Sequence, residues 1–381
     1  MRHGTRRFWW LSGVAVLGLA ALTPLLAQGR GGGGGGGGST PSVDHKARQV
    51  RPIALGVSGG NATDSANGFC CSGTLGALVE NAQGQFILSN SHVFAHDTAG
   101  ANVAEIGDPI NQQGLIDAAC QDRPADYVAH LSSTSSVNPG FMSPFDAAIA
   151  AVVPGQVRAD GAILEVGQIS STPVESFLGQ RVKKSGRTTG LTTSRIEALN
   201  ATVSVGYTSE CGGPQYTSTY TGQIIVANRG SKFIAGGDSG SLMVEDVGTN
   251  PRAVGLLFAG SSSIAIANPI SDVLEHFGVT LVGQPGAGSF AAEQDASLSQ
   301  GAQHAKAAQE RNAARLISVP GAIGHAVGFN ANGAVIKVYV AEMSDRARQA
   351  VPAQIEGVPV MLEATGPIVA IGSMLPCGQK R

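Results

Sequence analysis

The sequence predicts a mainly β protein built as an antiparallel barrel or sandwich, and three observations lead there. Short β-type runs recur between residues 52 and 259, glycine-rich turns separate them, and aromatics make up only 5% of a chain with 53 glycines. Glycine supplies the positive-φ turns that hairpins need and weakens long helices, so this composition favours many short strands. At 381 residues and 43% apolar content the chain can bury one large core or two smaller ones. A formal net charge of −2 offers no general attraction for nucleic acid or an anionic membrane, and neither is expected as a partner.

The N-terminus places Arg2, Arg6 and Arg7 before the apolar run 8–22, with Leu25-Leu26-Ala27-Gln28 as a cleavage region. That order predicts an export signal over residues 1–28 and a periplasmic or secreted protein. Thr5-Arg6-Arg7-Phe8-Trp9-Trp10 resembles the twin-arginine variety. A retained anchor is the alternative, since the run is near the short limit for spanning a bilayer. Residues 29–50 carry eight consecutive glycines and then Ser39-Thr40-Pro41, which predicts a flexible tether.

Strand signals follow at 52–57, 73–79, 85–89, 127–131, 147–153, 181–184, 196–205, 222–226, 241–244 and 253–259, with turns at Gly59-Gly60-Asn61 and Asn81-Ala82-Gln83-Gly84. Ser185-Gly186-Arg187-Thr188-Thr189-Gly190-Leu191 suits a structural turn between strands, with Arg187 solvated or ion-paired. Residues 271–277 have helical spacing, with Ser271 or Asp272 as N-cap. After a Gly/Pro-rich break at 283–288, residues 289–317 read as a helix or a loose linker within a connecting stretch, 283–320. Residues 321–381 read as a small α/β module in the order strand, strand, helix, strand. It contains no nucleophile, metal cluster or phosphate loop, so a docking, folding or regulatory role is expected.

The chemistry gathers at Gly236-Gly237-Asp238-Ser239-Gly240-Ser241. Glycines on both sides of Ser239 allow a tight turn in which the N–H groups of Gly237 and Ser239 converge as an oxyanion hole. A serine hydroxyl is a weak nucleophile, so it needs a general base and a group that orients the base. His92 ends the apolar run 86–89 and is the candidate base. Asp146 precedes Ala147-Ala148-Ile149-Ala150, where an ionised carboxylate needs a charged or hydrogen-bonded partner. Asp108, Asp117 and Asp126 compete for that role. His92 and His96 have the spacing of a metal pair, but the glutamate of H-E-x-x-H and a third ligand are missing, so neither a metal nor a cofactor is expected.

The chain order His, Asp, Ser differs from that of α/β-hydrolases and subtilisins, and Ser241 breaks the G-x-S-x-G elbow. Together the S-H, D-A-A-I-A and G-D-S-G segments resemble those of trypsin/chymotrypsin-like serine proteases over residues 51–282. The resemblance implies two six-stranded barrels and hydrolysis of peptide bonds through an acyl-enzyme. It implies that Asp238 is buried under the oxyanion loop, in some relatives paired with an N-terminus freed by cleavage, here near Arg51. It also implies a primary pocket formed by Phe233, Ile234 and Ala235 with a wall at Ala259 and Gly260. An acid would stand at Phe233 in an enzyme selecting Lys or Arg, so a small or uncharged P1 residue is expected. An inactive scaffold with this fold and an esterase using the same three residues are the rival readings. Five cysteines suit an exported chain, with Cys70 and Cys71 pairing to Cys120 or Cys211 in either arrangement and Cys377 left over.

Overall fold

In the computed structural model, which describes residues 43–95, 104–137, 140, 142–228, 232–285 and 296–378, strand pairing closes two rings. The first uses β1 (Val57–Asn61), β2 (Phe69–Leu75), β3 (Ala77–Asn81), β4 (Gly84–Ser89), β5 (Pro109–Asn111), β6 (Tyr127–Thr134) and β7 (Ala148–Val152). β1 pairs with β2 and β5, β5 with β6, β6 with β7, β7 with β4, and β4 with β3, all antiparallel. β2 and β3 are one bent strand joined at Gly76, so six strands complete the barrel. A Cβ at Gly76 would lie 2.0 Å from the Gly240 carbonyl oxygen, and only glycine lets this bend pass the loop that carries Ser239. Leu75, Leu78, Ile87, Leu88, Val128 and Ile149 fill the interior.

The second ring runs through β8 (Arg181–Gly186), β9 (Gly190–Thr208), β10 (Gln215–Ala227), β11 (Leu242–Glu245), β12 (Ala253–Gly260) and β13 (Ile264–Pro269). β8 pairs with β9, β9 with β10, β10 with β13, β13 with β12, β12 with β11, and β11 with β8. The fold is thus two antiparallel six-stranded barrels of trypsin-like type. β13 carries no sequence signal beyond two isoleucines after a serine run, and it is absent from the predicted strands.

Some expectations need correction. Gly59-Gly60-Asn61 is not a turn but the end of β1, where a Cβ on Gly59 would come 2.5 Å from Leu75 Cδ2. The helix α2 (Ile270–Phe277) is capped by Pro269 rather than Ser271 or Asp272, and the Ser271 hydroxyl bonds Glu175 instead. The expected tether does not reach residue 50. His45 is buried, with its ring nitrogens at Gly56 O (2.8 Å) and Glu165 Oε2 (2.6 Å), and Arg48 pairs with Asp126. Imidazole and guanidinium groups are held by hydrogen bonds and ion pairs there, which a glycine run cannot supply. The export signal at 1–28 and residues 29–42 lie outside the described residues.

From Val43 onward the chain forms one compact unit. The helical option holds for residues 296–317, as α3 (Ala296–Arg311) and α4 (Ala313–Ile317). β14 (Ala322–Asn330), β15 (Gly333–Val340), α5 (Asp345–Ala350) and β16 (Val358–Ala364) follow in the expected order. β14 pairs with β9 and β15 with β16, so these strands continue the sheet of the second barrel. Ala305, Ala308 and Leu316 of the helices pack with Val327, Ile336 and Val338.

The chain then doubles back. β17 (Val369–Ala370) pairs antiparallel with β12, and β18 (Ser373–Pro376) pairs antiparallel with β2. Disulfides join Cys70 to Cys120 and Cys71 to Cys211, so the expected partners are used and Cys377 remains free and exposed.

Candidate active site

The three expected residues come from three loops at the junction of the barrels. His92 lies on α1 (Ser91–Phe94), a single turn that begins where β4 ends. The Asn90 side chain, rather than capping that turn, donates to the Asp146 carbonyl at 2.7 Å and ties it to the start of β7. Asn268 from β13 donates to the same carbonyl at 3.0 Å and accepts from the Asp146 N–H at 3.2 Å. Ser239 precedes β11, and its own carbonyl accepts from the Thr74 N–H of β2 at 2.8 Å.

These contacts bring the side chains into a row. His92 Nδ1 is 2.5 Å from Asp146 Oδ2, and His92 Nε2 is 2.7 Å from Ser239 Oγ. With Nδ1–H donated to the carboxylate, the lone pair of Nε2 faces the serine hydroxyl proton. Asp146 and Ser239 are fully buried, and the His92 side chain is 11% exposed. Burying a carboxylate requires compensation. The backbone N–H of His92 donates to Oδ1 at 3.2 Å and the Tyr207 hydroxyl donates to Oδ2 at 2.9 Å. Tyr207 lies 2.7 Å from the Tyr220 hydroxyl, oxygen to oxygen. Since its proton goes to the carboxylate, Tyr220 donates to it. Burial, followed by the nearby Asp146 charge, pushes both phenols up and keeps them protonated donors.

The three competing aspartates are committed elsewhere. Asp117 takes two bonds from the buried Arg187, at 2.6 and 2.7 Å, Asp126 pairs with Arg48, and Asp108 accepts from Asn61 at 3.1 Å. Arg187 is therefore ion-paired, inside the protein. The second histidine of the metal-like pair, His96, lies outside the described residues, and both ring nitrogens of His92 are engaged.

The loop that carries Ser239 is held from below. Gly237 and Gly240 have φ of 98° and 90°, and a Cβ on Gly240 would lie 2.2 Å from Ser89 Oγ. Asp238 accepts from the N–H groups of Ala235, Thr188 and Thr189 and from the Thr189 hydroxyl. Lys184 Nζ stands 3.6 Å away, with both side chains fully buried. Desolvation lowers the Lys184 pKa, opposed by the Asp238 charge. Cleavage near Arg51 is thus not needed to give Asp238 a cation. Arg51 itself is bound to Gln112 and Gln156.

Of the expected pocket residues, Phe233, Ile234, Ala259 and Gly260 lie against the chain's own tail rather than open space. Phe233 and Ile234 are buried in one cluster with Leu257 and Ile371, and a Cβ on Gly260 would lie 2.5 Å from Ile234 Cδ1. Ala235 braces Asp238 through its N–H, while β17 lies along Ala259 and Gly260. None of the five lines the cavity of about 350 Å³ that opens beside His92, between Tyr207, Glu210, Tyr216, Ser373 and Met374. Ile371 packs with Phe233 and Ile234 in the same apolar cluster. Tyr207, Lys184 and Asn268 escaped sequence reasoning. The one available signal was a lysine, rare in barrel interiors, inside the predicted strand 181–184.

The barrels and the Ser–His–Asp row at their junction define a protein of trypsin-like fold. The family described as Nal1 C-terminal domain matches residues 134–267. No curated protein matches the chain. Among solved structures it is similar to a glutamic acid-specific serine protease, at 19% identity over 60% of this chain and 100% of the other, with TM-score 0.40. Thermobifida fusca protease A is 19% identical over 61% and 99%, with TM-score 0.40. Cellulomonas bogoriensis chymotrypsin is 20% identical over 60% and 98%, with TM-score 0.37.

Proposed function

We propose that the protein is an exported serine endopeptidase. Ser239 Oγ attacks a peptide carbonyl carbon as its proton passes to His92 Nε2, and Asp146 holds the imidazole in the productive tautomer. The N–H groups of Gly237 and Ser239 stabilise the oxyanion, each such donor being worth about 2.7–4 kcal/mol in comparable sites. His92 then gives its proton to the departing amine, leaving an acyl-enzyme on Ser239. A water, deprotonated by His92, hydrolyses that ester and returns Ser239 to the hydroxyl. The observation carrying this reading is the unbroken row Asp146–His92–Ser239, with contacts of 2.5 and 2.7 Å.

Two disulfides suit an oxidising compartment, which supports export. No helix among the described residues is long and apolar enough to cross a membrane. Phe233, fully buried and uncharged, leaves a basic P1 side chain without a counter-charge at that position. An irreversible serine-reactive phosphonate tests the reading. Modification at Ser239 that disappears in His92→Ala is expected. A chain that stays unmodified, even when its cleft is open, is a protease-fold binding protein instead.

A further inference from the structure

The end of the chain runs through the cleft in the manner of a bound polypeptide. β17 adds to the edge of β12, with Ala370 opposite Ala259 and Val369 opposite Gly260. The next residue, Ile371, donates its N–H to the Phe258 carbonyl at 3.1 Å, and its own carbonyl accepts from the Gly237 N–H at 2.5 Å. Gly372 passes the base, where a Cβ would lie 3.2 Å from His92 Cδ2 and 3.5 Å from Nε2. β18 then pairs with β2 in continuous register, from Ser373 opposite Ser72 to Pro376 opposite Phe69.

Strand addition to a sheet edge gives affinity through main-chain bonds and specificity through the side chains that enter pockets. In this register it is the carbonyl of Ile371 that meets the loop N–H two residues before Ser239. The Ile371 side chain is 7% exposed among Phe233, Ile234 and Leu257, whereas Val369 and Met374 are 46% and 42% exposed. An apolar side chain is therefore selected at one position and tolerated or ignored at the others. The residue after it is glycine, at the point closest to the imidazole.

We infer that residues 369–376 are a substrate-like segment bound in cis, with Ile371–Gly372 at the position of the bond to be cut. The segment excludes other polypeptides, and its register assigns the substrate class: an extended chain with a branched aliphatic residue before the reacting carbonyl and a very small residue after it. The hydrolytic consequence rests on the endopeptidase reading, but the occupancy does not.

Binding is tested separately from catalysis. In full-length protein carrying Ser239→Ala, a fluorescent peptide of residues 367–376 is titrated by anisotropy with and without Ile371→Asp. That substitution puts a carboxylate into an apolar cluster, so the variant's tail should leave the cleft. A tethered segment competes at high effective concentration, so the peptide should bind the Ile371→Asp chain about tenfold or more tighter than the chain with Ile371 intact. The same peptide with Asp in place of Ile should not bind. With Ser239 present, a phosphonate with a valine-like side chain should label Ile371→Asp about tenfold or more faster than unaltered protein, and one with an arginine-like side chain should not gain. Equal peptide affinity for both chains, or equal labelling of both by the valine-like probe in a protein that labels at all, overturns the inference. Tighter peptide binding without labelling in any chain sustains the occupancy and defeats the endopeptidase reading. If Ile371→Asp loses its cooperative melt, Gly372→Val, which forces the tail off His92, is judged by the same readouts.

Discussion

The environment of Asp146 shows how a fully buried carboxyl group finds its hydrogen-bond partners beside an imidazole. It is shared among His92 Nδ1, the His92 N–H and the Tyr207 hydroxyl, with Tyr220 behind. Asp146→Asn should lower kcat/KM on a peptide substrate by about four orders of magnitude, because an amide there favours the wrong tautomer. Tyr207→Phe removes one bond to a charged acceptor, worth about 1.5–3 kcal/mol, and should slow turnover by about one to two orders of magnitude. Both are measured in the tail-released Ile371→Asp background, with melting curves to show that the fold is intact. His92, Asp146 and Ser239 were legible because each sits in a short local pattern, at a strand end or between glycines. Tyr207 was not, because its hydroxyl reaches Asp146 across a sequence separation of 61 residues that no local pattern encodes.

Among the elements, β14 carries a titratable group with a clear effect. His325 is buried on this strand, its Nδ1 accepting from Gln309 Nε2 of α3 at 2.8 Å. Desolvation lowers its pKa from 6.5 to about 4. The unfolded chain therefore binds this proton at a higher pH than the folded chain does. The stability contributed is complete above pH 6.5 and is lost as pH falls to about 4. A shift of this size corresponds to about 3 kcal/mol. Urea melts across that range should show the loss, and His325→Asn should flatten this part of the pH dependence. The strand order of residues 321–364 was readable from alternation and turn residues. The attachment was not. β9 spans 19 residues, well past the predicted 196–205, and its exposed edge takes β14 as a partner. Nothing local in either strand encodes that pairing.

At the scale of the whole molecule, β2 is the member on which both barrels and the returning chain converge. It pairs with β1 and β18, carries Cys70 and Cys71, and sends Cys71 to Cys211 beyond β9, 140 residues away. Closing so long a loop restricts the unfolded chain, so Cys71→Ser with Cys211→Ser should cost about 2–5 kcal/mol in urea-measured stability. It should also loosen the grip on β18, read as faster phosphonate labelling of Ser239. Strand spacing alone left barrel and sandwich open, and the two-barrel fold was legible only through the resemblance that the ordered motifs carry. The filled pocket was not, since a sequence does not reveal that its own last strand occupies the groove its other loops would build.

The buried Lys184–Asp238 pair has a consequence for timing. The counter-charge of Asp238 is a side chain of the barrel interior rather than a freed terminal amine, so the order of the loop is tied to the packing of the second barrel. On the endopeptidase reading, Asp238 would need no freed amine to order this loop, and the tail at residues 369–376 would be one means of delaying hydrolysis.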